Sequence, residues 1–597
     1  MDATVVALDA PVVSGGAPTS GERPEEGPDG ATAGETLPRG WRAAVLAVLA
    51  VLFLVMGVSQ ARSDSMTFDE APDLAGGLAA VVQRDAGITP EHGLLPRVIA
   101  GLAALPARPV VPEVDGSGDW FAFTDELVRS NAEAGRLEQA LFLARLPTLG
   151  LGLLSALIVH VLAARWFGRD AALVAAGAWL TAPLVLGLHH LALTDPATAT
   201  AVLVLVLATA RLLEAPSDGR AVAAGAALGA VLLCRHATLP LAVVPVVAAA
   251  VGAAGRREQV RRAAIVAVVG LAVVWGAYRV VDPSGPQGSV RGQRLALVEA
   301  AGEESAVARL VGASPMPLEW RAGFGHLIVS SEVKVASGFG QRWEGGRPWY
   351  YPAALLVASP PATAALLVLG PLGLATVARA RRRRAAWLLG GTAALYLGPL
   401  MIQPLQLGPR LMLPVLALGL VAGSAAVPEV RRRATGDGRR VVAATVAGLV
   451  IASHLALFVT SGPSSIGWTP PYLRPEHRWA GAAATDIGQD RDRIADWAAG
   501  RAPVAALVVV PLGHEPPGGT VDLRTQDPSD LDGWVVTGAS ALITFGDDVS
   551  WLRAYCPVGA IGRSTLVYRF DGPPDTRPGP GLPAAACPAG QEFSSRR

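Results

Sequence analysis

The sequence predicts an all-α protein that crosses a membrane about eleven times and ends in a small α/β domain. Its 597 residues are 51% hydrophobic and only 17% charged, with a mean hydropathy of +0.40. Soluble domains carry about 25% charged residues. Apolar runs of about 18 or more residues recur along the chain, as polytopic helical membrane proteins require. These observations exclude an ordinary soluble globular protein.

Basic residues fix the expected orientation of the spans. If the N-terminus is cytoplasmic, five short basic loops fall inside, among them the loop with Arg256-Arg257 and the loop with 431–433. We therefore expect a multi-pass protein of the cytoplasmic (plasma) membrane with its C-terminal domain outside the cytoplasm. The expected spans lie near 41–59, 146–163, 171–188, 197–213, 221–235, 238–254, 263–280, 351–376, 386–403, 410–427 and 441–460.

Composition divides the chain into four parts. They are a disordered cytoplasmic tail at 1–38, a membrane domain at 39–460 with outer loops 60–145 and 281–350, an α/β domain at 461–571, and a loose Pro/Gly-rich tail at 572–597. In the first outer loop the amphipathic stretch 94–99 is expected to lie along the bilayer surface.

Two cysteines fall in the expected outer part. Cys556 and Cys587 lie where an oxidising compartment permits a disulfide, although their spacing forms no motif, so a paired and an unpaired state both stay open. The net charge of +1 says nothing about partners, and we expect no nucleic-acid partner. Because Walker A, dinucleotide-binding, HExxH and CxxC motifs are missing from the sequence, ATP hydrolysis, hydride transfer and zinc peptidase chemistry have no support.

Asp69 and Glu70 follow the first span within a short turn. Two neighbouring carboxylates repel, so one of them holds its proton more tightly than an isolated side chain. A carboxylate at an apolar rim is suited to act as a general base towards a hydroxyl. The alternative, a solvated polar turn after a membrane helix, stays open at this point.

Further charged residues are expected on the same face. Asp195 lies in the short turn before the fourth span, where it is either a partner of the acidic pair or a helix N-cap in front of Pro196. Arg235, Arg342 and Arg410 lie at outer ends of spans. Several guanidinium groups at one face fit a phosphate, while insertion among lipid headgroups is the alternative for each.

Aromatic residues crowd the second outer loop before the eighth span. Trp343, Trp349 and Tyr350 could stack on a sugar or a prenyl headgroup, and anchoring at the bilayer interface is the alternative for each of them.

Several segments, in order along the chain, resemble motifs of one enzyme family. They are Thr-Phe-Asp-Glu-Ala-Pro at 67–72 with Leu-Ala-Gly-Gly at 74–77, Pro-Glu-His-Gly-Leu-Leu at 90–95, Trp-Tyr-Tyr at 349–351, Gly-Pro-Arg-Leu-Met-Leu-Pro at 408–414, the stretch 485–497, Tyr-Cys-Pro-Val at 555–558 and Ile-Gly-Arg-Ser at 561–564. On these segments the chain is similar to bacterial membrane glycosyltransferases of the GT-C fold that use a polyprenyl-phosphate sugar donor, in the group of protein O-mannosyltransferases and the aminoarabinose transferase of lipid A. The resemblance extends from about residue 41 to about residue 570.

The resemblance implies an inverting glycosyltransferase that moves a sugar, mannose-like or another hexose or pentose, from a polyprenyl-phosphate donor. The acceptor hydroxyl would belong to a protein, lipid or glycan at the outer face, among membrane lipids. Asp69 would be the general base, and Glu70 would position the acceptor or tune the pair. No cofactor is implied with certainty, although adjacent carboxylates are also candidate ligands for Mg²⁺ or Mn²⁺. The implied substrate-binding residues are His92, Asp195, Arg235, Arg342, Tyr350 and Arg410.

The chain departs from the family pattern at three places. Gly93-Leu94 replaces a Pro-Pro pair, Asp73 stands where the family usually has His, and Ala358 stands where it usually has Lys. A different acceptor, a different sugar and a catalytically degenerate homologue are therefore open alternatives. The rival class is a transporter or flippase of lipid-linked sugars, which explains the spans and outward charges but not the sizeable C-terminal domain.

Overall fold

The computed structural model describes residues 39–577, except 115–118, 252–254, 331–334, 376–379, 463, 474–475, 482–484, 502–503 and 545–548. The predicted tail 1–38, most of the tail 572–597, and Cys587 lie outside the described residues. Cys556 is disulfide-bonded.

Helices occupy most of the described chain up to Val459. They are α1 (Arg39–Ser63), α2 (Glu70–Leu78), α3 (Leu94–Ala104), α4 (Trp120–Glu133), α5 (Leu137–Phe167), α6 (Arg169–Leu180), α7 (Pro183–His189), α8 (Thr194–Glu214), α9 (Asp218–Cys234), α10 (Val243–Val251), α11 (Arg256–Val281), α12 (Gly288–Glu304), α13 (Ala306–Gly312), α14 (Leu318–Val329), α15 (Tyr350–Val357), α16 (Pro361–Ala375), α17 (Ala380–Ile402), α18 (Leu413–Gly423), α19 (Ala426–Arg433) and α20 (Asp437–Val459). A short hairpin of β1 (Val335–Gly338) and β2 (Gln341–Glu344) precedes α15.

Seven helices in the described part are long and apolar enough to cross a membrane, and the pair α6–α7 makes an eighth if its two helices, bent by 56°, form one span. This confirms the predicted fold class, a polytopic helical membrane protein with a small C-terminal sheet. Three expected spans are shorter or broken. The span expected at 221–235 is α9, which has 17 residues. The region 238–254 begins as a 3₁₀ turn with Pro240 inside, and a break at 358–360, which ends in Pro360, separates α15 from α16.

Burial distinguishes inner from peripheral spans. In the most apolar 18-residue window, 72% of residues are buried both in α8 and in the span Pro409–Arg433, against 17% in α1 and 11% in α20. The apolar surface of α1 and α20 is therefore left for lipid.

At the end of the bundle where α1 begins, Arg42 pairs with Asp170 at 2.8 Å, and Arg431 pairs with the same carboxylate. The candidate site lies at the opposite end, where α1 finishes.

The stretch 94–99, predicted to lie along the bilayer surface, forms part of α3 and packs one face against α2, while Leu95, Val98 and Ile99 stay partly exposed. Helix α3 crosses α2 where Gly77 meets Gly101, and a Cβ built on Gly77 would lie 2.1 Å from the Arg97 carbonyl oxygen. The Arg97 side chain is fully buried and donates to backbone oxygens, including that of Gly93 at 3.2 Å. The burial of Arg97 could not be predicted, because a buried arginine that binds carbonyl groups has the same sequence pattern as an interfacial one.

The C-terminal part forms a five-stranded sheet in the order β4-β3-β5-β7-β6. Strand β3 is parallel to β4 and β5, and β7 is antiparallel to β5 and β6. The apolar runs 504–510, 534–537 and 564–568 predict strands in this domain. They correspond to β3, β5 and β7, while β4 and β6 are too short to give a pattern. The elements are α21 (Glu476–Ala480), α22 (Arg491–Ala498), β3 (Val504–Leu507), β4 (Val521–Asp522), β5 (Gly533–Gly538), α23 (Ala539–Thr544), β6 (Gly559–Ile561) and β7 (Thr565–Phe570).

A buried carboxyl group makes the stability of this domain depend on pH. Asp486 accepts a hydrogen bond from the Ser540 amide at 3.0 Å, and burial raises its pKa from 3.8 to about 7. The folded state then binds a proton between about pH 4 and 7 that the unfolded state has released, so this group's contribution to stability falls as pH rises through that window. We expect Asp486→Asn to flatten the fall of the melting temperature between pH 5 and 8, measured by intrinsic fluorescence. Asp571→Asn, at an exposed carboxylate, is the control, and equal slopes in all three proteins would contradict the expectation.

Candidate active site

Four charged side chains from separate parts of the sequence meet at one end of the bundle. Asp69 lies at the start of α2, Asp195 in the first turn of α8, Arg235 directly after α9 and Arg410 in the 3₁₀ turn before α18. Nη1 of Arg410 donates to Oδ2 of Asp69, and Nε of Arg410 lies 3.9 Å from Oδ2 of Asp195. Nη2 of Arg235 lies 2.5 Å from Oδ1 of Asp195. We call these four residues the acid–arginine cluster.

The cluster is partly open. The exposed fraction of the side chain is 23% for Asp69, 19% for Arg235 and 15% for Arg410. For Asp195 it is 5%. A substrate can therefore reach Asp69 and both guanidinium groups, while Asp195 lies behind them and holds them in place. The N-cap alternative for Asp195 is wrong, because α8 begins at Thr194 and its N-cap is Leu193.

Local backbone geometry brings the side chains of Asp69 and Arg410 into contact. Asp69 is the N-cap residue of α2, yet its side chain makes no capping hydrogen bond and is turned to Arg410. Gly408 has φ +83°, a conformation that favours glycine, and Pro409 then starts the 3₁₀ turn that carries Arg410. This sharp turn directs the guanidinium back across the end of the bundle.

Glu70 has quite different surroundings from its neighbour. Its side chain is fully buried, and its two oxygens accept from Arg145 at 2.8 and 2.7 Å. The amides of Ala192, at 2.8 Å, and of Thr67, at 3.0 Å, donate to the same carboxylate. Burial alone would raise the pKa of Glu70, but the buried Arg145 guanidinium and these donors hold it below its ordinary value. Glu70 therefore ties the start of α2 to α5 and to the turn before α8.

His92 forms an ion pair beside the cluster. Its Nδ1 lies 2.6 Å from Oδ1 of Asp73, the residue that departs from the family pattern. Burial alone would lower the pKa of His92, but Asp73, Glu91 and Asp69 together raise it to about 9. His92 is therefore a cation at neutral pH, and 29% of its side chain is exposed.

The Gly93 departure has a steric reason. A Cβ at this position would lie 2.1 Å from the Cys234 carbonyl oxygen, so only glycine allows the His92 loop to pack against the end of α9.

Two other predicted site residues lie in the region of the hairpin. Tyr350 is 1% exposed, and its ring packs against Trp343 and Tyr351 with centroids 5.7 and 5.2 Å away. Arg342 lies on β2, opposite Ser337 of β1. Tyr350 thus belongs to a buried aromatic group, and its face is not open for stacking on a sugar in this conformation.

Arg410 also lines a narrow apolar cleft of ≈ 20 Å³, which has room for little more than a water molecule. Arg410 is the charged residue of its lining, and Ala358, which stands where the family usually has Lys, is part of the wall. An apolar wall beside one guanidinium has the chemistry to suit an aliphatic chain that ends in an anionic group, and the cleft must widen to admit one. The other lining residues are Leu184, Gly187, Leu188, Pro409, Ser465, Ile466, Gly467, Trp468 and Ile487.

Asp69 and Glu70 do not form a ready pair of ligands for a metal ion. In the described part of the chain, no group of three or more His, Cys, Asp or Glu side chains is arranged to hold one. Both oxygens of Glu70 are bonded to Arg145, so Asp69 and Glu70 cannot chelate a cation together without breaking a buried ion pair.

Sequence reasoning missed two charged groups near the site. Asp64, directly after α1, and Arg493, in α22, form an ion pair that joins the first loop to the C-terminal domain. An acidic residue after a membrane helix and an arginine in a surface-type helix carry no signal of such a pairing.

Comparison with known proteins finds similarity among solved structures. The similarity to ArnT from Cupriavidus metallidurans bound to undecaprenyl phosphate covers 88% of this chain and 98% of the ArnT chain, with 16% sequence identity and a TM-score of 0.45. A second similarity is to the archaeal oligosaccharyltransferase AglB from Archaeoglobus fulgidus, in complex with an inhibitory peptide and a dolichol-phosphate. It covers 89% of this chain and 74% of the AglB chain, with 12% sequence identity and a TM-score of 0.46. No protein-family model and no curated protein match the chain. Because these identities and TM-scores are low, the functional assignment rests on the side chains.

Proposed function

We propose that the protein transfers a sugar from a polyprenyl-phosphate donor to an acceptor hydroxyl, with inversion at the anomeric carbon. The observation that carries this proposal is the pairing of a partly exposed carboxylate, Asp69, with Arg410 at the wall of an apolar cleft. A lipid-linked sugar presents the same combination of an aliphatic chain, a phosphate and a reactive carbon next to it.

The arginines provide the phosphate site in this proposal. The prenyl chain lies along the apolar cleft, which widens to admit it, and its phosphate lies against Arg410, with Arg235 and the cationic His92 nearby. When the sugar–phosphate bond breaks, its electron pair stays on the phosphate oxygen, and the negative charge increases there. Fixed cations in a site with little water stabilise that charge in the transition state. Asp195 keeps both arginines in position.

Asp69 is the general base of the proposed reaction. The Asp69 carboxylate forms an ion pair with Arg410, and an ionised carboxylate can accept a proton. As the acceptor oxygen bonds to the anomeric carbon, its proton passes to Asp69, and the phosphate leaves from the opposite face. One base and one direct displacement give inversion. No step requires a metal ion.

The wider assignment follows from the same proposal. The sugar is mannose-like or another hexose or pentose, and the acceptor is a protein, a lipid or a glycan. Transfer takes place at the outer face of the cytoplasmic membrane, where the C-terminal domain would also lie. Nucleic acid has no role in this reaction.

The test is transfer by the purified protein in lipid from a panel of radiolabelled polyprenyl-phosphate sugars to a cell-envelope extract. Turnover with one donor, lost in Asp69→Asn, supports the proposal and identifies the sugar. Absence of turnover with every donor, while the same protein moves a labelled lipid-linked sugar across vesicles, overturns it in favour of the flippase.

Arg410→Gln should lower kcat/KM for the donor by about 100-fold, because a cation beside the leaving phosphate is removed. Arg524→Gln, at an exposed arginine of the C-terminal domain, is the matched control and should keep the wild-type value. Steady-state kinetics with the identified donor measures both variants. Equal kcat/KM in Arg410→Gln and the control would show that Arg410 is not a phosphate ligand.

A further inference from the structure

The loop that carries Asp69 is bonded to the C-terminal part of the chain. The Ser65 amide donates to the Gln489 carbonyl at 3.1 Å, and the Phe68 amide donates to the Ile487 carbonyl at 2.8 Å. In the other direction, the Asp492 amide donates to Oγ of Ser65 at 3.0 Å. These bonds hold the backbone up to the residue directly before Asp69.

A buried ion pair anchors the start of the same loop. The side chain of Asp64 is fully buried. Its Oδ2 lies 2.9 Å from Nε2 of His190 and accepts a hydrogen bond from Oγ of Ser464 at 3.2 Å. Nη2 of Arg493 donates to Oδ1 of Asp64, and Nη1 lies 2.6 Å from Asp490. Burial alone would raise the pKa of Asp64, but His190 and Arg493 hold it below its ordinary value.

The same C-terminal segment reaches the cleft. Ile487, whose carbonyl oxygen binds the Phe68 amide, is one of the residues that line the cleft next to Arg410. The segment that holds the Asp69 loop therefore also borders the cleft.

We propose that Asp64 and Arg493 are positioning residues through which the C-terminal domain sets the place of Asp69 at the reaction centre. The inference rests on the proposed role of Asp69 as the base. Neither residue contacts the substrate. A general base must lie within hydrogen-bond distance of the proton that it accepts, so a small displacement of the loop reduces the rate without altering the phosphate site.

The test compares Arg493→Gln with the conservative Arg493→Lys and with the control Arg524→Gln. Arg493→Gln should lower kcat about 10- to 100-fold and change the donor KM by less than about 3-fold. Arg493→Lys should recover part of kcat because it retains the charge, and the control should behave as wild type. Amide hydrogen exchange followed by mass spectrometry should be faster over 65–68 in Arg493→Gln alone.

The exchange measurement needs no substrate, so it separates this inference from the proposed function. If the wild type transfers no sugar but Arg493→Gln speeds exchange, the function fails and the anchoring of the loop stands. Unchanged exchange, or unchanged kcat with faster exchange, overturns the positioning role. If Arg493→Gln does not fold, Asp64→Asn takes its place. Asparagine has nearly the shape of aspartate and retains an acceptor for His190, but it removes the charge that faces Arg493. This variant should give the same changes in kcat and in amide exchange.

Discussion

Asp69→Asn is expected to lower the rate of sugar transfer by about 100- to 10,000-fold, the usual contribution of a general base. Asparagine has the shape of aspartate and still accepts a hydrogen bond from Arg410, but it cannot take the proton of the acceptor hydroxyl. The fold should persist because the Asp69 side chain is partly exposed and its ion pair lies at the edge of the cleft. Single-turnover transfer from the bound donor measures the chemical step directly.

Asp571→Asn serves as the control for loss of a carboxylate elsewhere, since the Asp571 side chain is 84% exposed. It should retain the wild-type rate. A rate in Asp69→Asn within a few-fold of this control would remove Asp69 from the role of base, and Asp195 would be the next carboxylate of the cluster to test.

Glu70→Gln, one residue further along, is expected to act on stability. It leaves the buried Arg145 guanidinium without its carboxylate, and breaking a buried ion pair in this way costs about 3–5 kcal/mol. We expect a clear fall in the melting temperature of the purified protein in detergent and low yields of folded protein. Asp69→Asn is the matched neighbour, and it should melt close to wild type.

The double variant Glu70→Gln/Arg145→Met provides the control for the mechanism of destabilisation. Removing both charges should restore part of the stability that either single change loses. Wild-type melting of Glu70→Gln combined with lost transfer would instead place Glu70 in the chemistry, as the family resemblance allows.

Much of the cluster could be predicted because its members lie at the ends of spans. A membrane helix fixes the face on which each end emerges, so Asp69, Asp195, Arg235 and Arg410 had to appear at one end of the bundle once the spans were placed. His92 came from a motif alone. Its partner Asp73, noted only as a departure from the family, could not be recognised as a partner, because the two residues lie in different parts of the first loop.

The broken spans show the opposite case. Hydropathy alone predicts continuous helices at 238–254 and 351–376, yet prolines interrupt both, and the break between α15 and α16 places Ala358 in the wall of the cleft. Average composition over a window does not record where a backbone hydrogen bond is lost.

The sequence by itself determined the class of protein, the end of the bundle where the charges gather, and the main strands of the C-terminal sheet. Without the family resemblance, it could not separate the roles of Asp69 and Glu70. Successive residues at the start of a helix point about 100° apart, so one carboxylate of an adjacent pair can face the cleft while the other faces the interior. Which one does so depends on Arg145 from α5 and Arg410 from a turn far along the chain, and only the tertiary structure brings these opposite charges to them.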